Sequence, residues 1–166
     1  MAGPEEIDQR GSSSAPPLTI RPARIEDVAA IRDLIADDPV SARREDLSQG
    51  ALAQYEAAFR RIDAEPSAML FVAEAGGRLV GTYQLTLTPY LSRGGHLRAA
   101  IAAVRVARDL RSRGIGTAMM RHALARAREQ GATVAELMSD GERADAHRFY
   151  RRLGFEPTHR GFKLKL

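Results

Sequence analysis

The sequence contains no cysteine and no tryptophan, and its only lysines are Lys163 and Lys165. Without cysteine, the chain can form no disulfide, no thiolate metal site and no cysteine nucleophile. No apolar run is long enough to cross a bilayer. The polar stretch from Met1 to Arg10 lacks the basic start and apolar core of a secretory signal. Together these absences predict a cytoplasmic protein that binds no membrane.

The chain is long enough for one domain with its own core, at 166 residues. Its formal charge of +4 and pI of about 9.9 leave nucleic acid or an anionic small molecule open as partners. The arginines form separated pairs with acidic residues between them, which is typical of a solvated surface. We find no recognised nucleic-acid-binding motif, so we predict no nucleic-acid partner. The four histidines, His96, His122, His147 and His159, show no metal-ligand spacing, so we expect no metal.

Residues 1–17 are rich in glycine, serine and proline and have too little apolar surface to fold, so we predict a flexible tail there. The domain is expected to span residues 18–166. Alternation and helical spacing of apolar residues predict strands and helices in the order β, α, α, β, β, β, α, β, α, β. The last of these strands is predicted at Phe162–Leu166, with a further one possible near Phe155–His159. This order predicts an α/β protein whose mixed, partly antiparallel central sheet is flanked by helices.

The most informative segment is the one from Val104 to Ala118, where a strand is followed by a basic loop and two glycines open a helix. The first amides of a helix lack internal partners, and the helix dipole places partial positive charge there. Glycine lets the backbone approach a phosphate closely, and Arg111 and Arg113 add charge that suits phosphate. This pattern predicts a pyrophosphate site at residues 111–117.

Two familiar nucleotide motifs do not fit this segment. A Walker A loop requires a lysine, and none is present here. A dinucleotide fingerprint requires a third glycine after Gly114 and Gly116, but position 119 is methionine. An ordinary strand-to-helix turn with a basic rim remains an alternative for the glycine pair taken alone.

The segment Arg111-x-x-Gly114-x-Gly116 resembles the pyrophosphate motif of GNAT (GCN5-related N-acetyltransferase) enzymes. A second signature, Ala146-x-x-Phe149-Tyr150 followed by Gly154-Phe155, resembles the family's late helix and turn. The start of the domain, Leu18 to Ala23 and then Asp27, is also similar to the family's first strand and helix entry. The resemblance spans roughly residues 18–166 and implies an N-acetyltransferase with the GNAT fold and acetyl-CoA as co-substrate.

The resemblance also implies roles for individual residues. Backbone amides of the loop bind the pyrophosphate, the preceding strand pairs with the pantetheine arm in the gap beside the next strand, and the late helix completes the cofactor site. Tyr150 is implied to protonate the departing thiolate, although its spacing alone favours a core aromatic. The implied cofactor-binding residues are Val104, Arg105, Val106, Arg111, Ser112, Arg113, Gly114, Ile115, Gly116, Thr117, Arg143, Ala146 and Phe149.

Two positions depart from the family pattern. Many members carry a glutamate as general base on the strand before the loop, and the matching residue here is Ala102. Glu136, His96 and Asp140 are substitutes for this base, and a chain of waters is an equal alternative. Loss of catalysis is a further one, which would leave a non-catalytic acyl-CoA-binding module. Arg143 stands where the family often has an asparagine that contacts the cofactor.

The resemblance implies that the first two helices and the last strands shape the pocket for a small-molecule or peptide amine. The acidic residues Asp37, Asp38, Glu45 and Asp46 between those helices could attract a cationic amine, or form only a solvated loop. Gln84 and Thr86 make one face of a long strand polar, which we expect to point towards the pocket. Because dimers are common among enzymes of this kind, the resemblance also leaves a homodimer open.

Overall fold

The computed structural model describes residues 17–42, 46 and 48–165. The predicted tail therefore lies, apart from Pro17, outside the described residues, as do Glu45 and Leu166 among the residues singled out above.

Five strands form one sheet in the order β1-β2-β3-β4-β5. All neighbouring pairs are antiparallel except β4 and β5, which are parallel. The mixed sheet predicted from the sequence is confirmed. The strands are β1 Leu18–Pro22, β2 Ala68–Ala75, β3 Arg78–Pro89, β4 Leu97–Val106 and β5 Val134–Leu137. The helices are α1 Val28–Ala36, α2 Pro39–Ala42, α3 Gln49–Asp63, a single turn α4 Ser92–Gly95, α5 Ile115–Glu129 and α6 Ala144–Arg152.

Alternation along β3 sends its side chains to two different layers of helices. Tyr83 and Leu85 face α5, where they join Met119 and Met120 in the most deeply buried part of the core. Gly81 lies on this same face, and a Cβ there would collide with the Met119 sulfur, so glycine allows α5 to pack closely on β3. The residues between them on β3 face α1 and α3, which cover the other side of the sheet.

A charged cluster joins the start of the domain to the sheet. Arg21 on β1 donates to both oxygens of Asp27, with nitrogen–oxygen distances of 2.7 and 3.0 Å, and also to Glu74 on β2. Asp27 is 9% exposed, and its hydrogen bonds from Arg21 are the main reason that its pKa is lowered. This pairing sets where α1 begins relative to the sheet.

The prediction of a final strand is wrong for the residues that the structure describes. No strand follows α6 up to Lys165, and Phe162 and Leu164 are 97% and 84% exposed. The alternation of apolar residues with Lys163 and Lys165 supplied a strand-like pattern. A strand also requires a neighbouring strand to pair its backbone with, and residues 155–165 have none in this structure. Within the described ranges, no helix combines the length and the apolar character needed to span a membrane.

Candidate active site

The strand β4 is irregular at the position where the site begins. Thr82 pairs with Arg105 and Gln84 pairs with Ala102, so Ala103 and Val104 together oppose Tyr83. This is a β-bulge, and Ala103 takes the left-handed φ of 51° that such a kink can impose. A non-glycine residue rarely adopts this conformation, which is more common at functional sites than elsewhere.

Beyond the bulge, β4 separates from β5. The two strands pair only over Arg98–Ile101 and Val134–Leu137, so residues 102–106 have no partner on β5. Side chains take up part of the freed backbone: Arg105 Nη1 donates to the Val104 carbonyl at 2.8 Å, and Arg111 Nε donates to the Val106 carbonyl at 3.2 Å. The pairing of β4 with β5 thus ends before Val104, Arg105 and Val106, the residues beside which the family resemblance implied a gap for a pantetheine arm.

The turn after β4 leads directly into the amino-terminal end of α5. Ser112 and Gly114 have positive φ values of 63° and 83°, and Gly114 is the residue that caps the helix. The first helical hydrogen bond runs from Ala118 N to Gly114 O, at 3.0 Å. The amides of Ile115, Gly116 and Thr117 therefore precede the helical ladder and are suited to an anion. Arg111 and Arg113 are exposed on the same turn, as is Ser112.

Glycine suits the two positions 114 and 116 for different structural reasons. Gly114 has open space where a side chain would lie, so it is its left-handed backbone that favours glycine. A Cβ at Gly116 would lie 3.3 Å from Phe149 Cζ and 3.8 Å from Val106 Cγ2. Gly116 thus lets α6 pack against the start of α5, a role that the motif alone did not reveal. Phe149, predicted to bind cofactor, is the residue that fills this space.

Tyr150 lies on α6, with its ring 5.2 Å from that of Phe149 and 6.0 Å from that of Phe155. Burial raises the pKa of the Tyr150 hydroxyl above its ordinary value, and the positive charges of Arg105 and Arg143 offset this rise only in part. The hydroxyl therefore keeps its proton at neutral pH. Ala146 lies one turn earlier on the same helix and is half-buried.

Arg143, at the start of α6, is held by Asp38. Its two terminal nitrogens bind the two carboxylate oxygens at 2.9 and 2.5 Å. Next to it, Asp37 accepts from the Arg108 amide at 3.1 Å, and its carbonyl accepts from the Arg108 guanidinium at 2.8 Å. The chain after α1 is thereby attached both to α6 and to the turn before α5. Sequence reasoning missed these pairs, because partners 105 and 71 residues apart leave no local pattern.

These contacts change the interpretation of the acidic loop. Asp37 and Asp38 are bound by arginines, and the Asp46 carboxylate accepts from the Ser48 amide at 2.8 Å. Two of the four acidic residues are thus used to hold the site together, which argues against the loop as an attractor for a cationic amine.

The substitutes for the missing base are spread over the molecule. Glu136 pairs with Arg98 at 3.1 Å on the closed part of the β4–β5 ladder. His96 bonds the Ser92 carbonyl at 2.8 Å, before β4 begins, and lies about 25 Å along the strand from Val104 at the usual rise per residue. Asp140 caps the turn before α6 by accepting from the Glu142 amide at 3.2 Å. Asp140 is the one that precedes α6, the helix that carries Tyr150.

A cleft of about 110 Å³ opens on the sheet face covered by α1 and α3. From β3, Gln84 lines it together with Thr82, which sequence reasoning did not single out, whereas Thr86, expected beside Gln84, is not among the lining residues. Ala102 pairs with Gln84 and projects from the same face, so the family's glutamate would stand beside this cleft. Within the described ranges, no group of three or more histidine, aspartate or glutamate side chains is arranged to hold a metal ion.

Comparison with known proteins identifies the family to which this fold belongs. The model of the acetyltransferase (GNAT) family matches residues 28–155, so the chain belongs to that family. A transcriptional regulator from Bacillus halodurans has the same fold, with a TM-score of 0.86, 37% identity, and coverage of 90% of this chain and 99% of that one.

Two curated relatives are N-acetyltransferases by name. An uncharacterized N-acetyltransferase of Methanocaldococcus jannaschii is 36% identical over 86 residues, which are 52% of this chain and 38% of the relative. The aminoalkylphosphonate N-acetyltransferase of Salmonella typhimurium is 30% identical over 95 residues, 57% of this chain and 61% of the relative. These matches thus span between 38% and 61% of the length of these relatives.

Proposed function

We propose that this protein transfers an acetyl group from acetyl-CoA to a primary amine by direct attack of the amine on the thioester carbonyl. The observation that carries the proposal is the junction of three features: the open edge of β4, the free amides at the start of α5, and Tyr150 beside them. Family membership and the names of the curated relatives support the acyl-transfer chemistry.

The residues present suit coenzyme A as the source of the acetyl group. The amides of residues 115–117 and the side chains of Arg111 and Arg113 offer donors and positive charge to a pyrophosphate. Beyond Ile101, β4 no longer pairs with β5, and the backbone of residues 104–106 there can exchange its contacts with the Arg105 and Arg111 side chains for hydrogen bonds to the amides of a pantetheine arm. Acetyl-CoA brings the acetyl group as a thioester.

The bond that forms joins the amine nitrogen to the acetyl carbon, and the bond that breaks is the carbon–sulfur bond. Tyr150 donates its proton to the departing thiolate, for which its raised pKa keeps it protonated. The amine must lose one proton, and the described residues that line the cleft include neither a carboxylate nor an imidazole. We therefore assign this proton to water.

The test is a thiol-release assay with acetyl-CoA and a panel of primary amines, in which the acetylated product is identified by mass spectrometry. We expect release that depends on the amine and that rises with pH as the amine is deprotonated. Release independent of any amine, or none with the whole panel, would contradict the proposal.

A second candidate is a non-catalytic acyl-CoA-binding module. Ala102 favours it, because this residue supplies no base at the position beside the cleft. The result expected for this candidate is binding of acetyl-CoA in calorimetry together with no amine-dependent thiol release. Release from wild-type protein that is lost in Tyr150→Phe excludes it.

A further inference from the structure

The cleft on the α1 and α3 face has an almost entirely apolar wall. Eight of its twelve lining residues carry only hydrocarbon side chains, and the other four are Arg32, Tyr55, Thr82 and Gln84. Those eight come from α1, α3, β2 and β4, so the wall is assembled from four separate elements. They are Val28, Ile31, Ile35, Ala58, Phe59, Ile62, Leu70 and Ala103.

This wall reaches the place where the proposed reaction occurs. Ala103, in the β-bulge, lines the cleft, and the next residue is Val104, on the open edge of β4. Thr82 and Gln84, which flank the bulge on β3, line it as well. A molecule whose body fills the cleft would therefore present its end to the backbone at the bulge.

If that molecule is an amine with a second positive charge, the polar groups of the wall offer this charge no anionic partner. The Thr82 hydroxyl already donates to the Phe71 carbonyl at 2.9 Å, and Tyr55 and Gln84 are uncharged. Among the described lining residues the only ion is Arg32, which is a cation. Its partner Asp33 has a side chain that is 64% exposed and lies outside the lining, and the nearby Asp46 is exposed too.

We infer that the acceptor is a monoamine on a small apolar body, such as a branched alkyl or aryl group, rather than a polyamine or an amino sugar. A hydrocarbon body gains free energy by leaving water for this wall. A second ammonium group would lose its hydration without a carboxylate to pair with, and Arg32 would repel it. The inference rests on the proposed function, because it names the substrate class of the same site.

The first arm of the test compares two amines of similar length, 3-methylbutylamine and 1,4-diaminobutane, in the thiol-release assay. We expect kcat/KM to be higher for 3-methylbutylamine by about tenfold or more. The end remote from the reacting amine is an apolar isopropyl group in 3-methylbutylamine and a charged ammonium group in 1,4-diaminobutane. Preference for 1,4-diaminobutane, or for 2-aminoethylphosphonate, overturns the inference but leaves the acetyltransferase proposal standing. If no amine supports release, it is the proposed function that fails.

The second arm uses two leucine substitutions on the same helix. Ala58→Leu adds carbon atoms inside the cleft, whereas the neighbouring Ala57 is exposed and lines no part of it. We expect Ala58→Leu to raise KM for 3-methylbutylamine by about tenfold, with less effect on methylamine and none on the Kd of coenzyme A. Ala57→Leu should match wild type in all three. An equal KM for 3-methylbutylamine in both variants would place the acceptor elsewhere and overturn the inference.

Discussion

The two sides of the candidate site differ in whether backbone groups or side chains form them. The proposed cofactor side is mostly backbone: the first amides of α5, the left-handed Gly114, and the part of β4 beyond its pairing with β5. The acceptor side is mostly side chains, contributed by α1, α3 and three strands. A site made of backbone depends on glycines and spacing, whereas a site made of side chains can change with each lining residue.

The largest effect is expected at Gly116, where Gly116→Glu should remove coenzyme A binding. A carboxylate would face the pyrophosphate, a like-charge contact that costs several kcal/mol, and its Cβ would press against Phe149. Calorimetry measures the loss. Gly116→Ala separates the two causes, since it retains the contact with Phe149 without the charge. Coenzyme affinity unchanged in Gly116→Glu would break the assignment of the cofactor side.

Tyr150→Phe tests the point where the two sides meet. We expect kcat to fall by about 10² to 10⁴-fold, the usual contribution of a positioned proton donor, with the Kd of coenzyme A nearly unchanged. Because the pKa of Tyr150 is raised, its ionisation should not limit wild-type turnover below about pH 10. Turnover equal to wild type would remove the acid role and leave Tyr150 as a core aromatic.

Substitutions of Arg143 and Asp38 test whether their ion pair holds the two sides of the candidate site together. Their side chains are 19% and 11% exposed, so removing one partner leaves a largely buried charge. We expect Arg143→Met to lower the free energy of unfolding by about 3 kcal/mol, measured by urea denaturation. The double variant with Asp38→Leu should recover part of this loss. A large fall in coenzyme affinity with no loss of stability would instead support the cofactor contact predicted from the sequence.

The smallest effect is expected at His122, which is remote from both sides. Its Nδ1 lies 2.6 Å from the Tyr83 hydroxyl, and burial, followed by the charge of Arg126, lowers its pKa. The folded protein thus binds this proton less readily than the unfolded chain does. The contribution of His122 to stability is fully present above its unfolded-state pKa of about 6.5 and is lost as the pH falls from there through the lower pKa of the folded state.

The matched variant is His122→Gln, whose amide can still accept from Tyr83. Its melting temperature should fall less than that of wild type between pH 7 and pH 5, by a few degrees. Equal falls in both proteins would show that His122 has no part in the acid response between pH 7 and pH 5.

The same contrast explains what the sequence could predict. The five strands, the helices α1, α3, α5 and α6, and the turn at residues 111–117 follow from local periodicity and from glycines with a defined backbone need, whereas the short helices α2 and α4 were not predicted. The contact of Gly116 with Phe149, the pairing of Asp38 with Arg143 and the cleft lining depend on segments far apart in the chain. The segment at Phe162 has strand periodicity without a partner strand, so periodicity alone gave the wrong result there.

The most direct test of the central claim, that the start of α5 binds the pyrophosphate of coenzyme A, is a pair of calorimetric titrations. Coenzyme A is titrated against the protein, and pantetheine, which lacks the pyrophosphate, is titrated under the same conditions. We predict clear saturable binding of coenzyme A and much weaker binding of pantetheine. Equal affinity for the two, or no heat of binding with coenzyme A, would contradict the account.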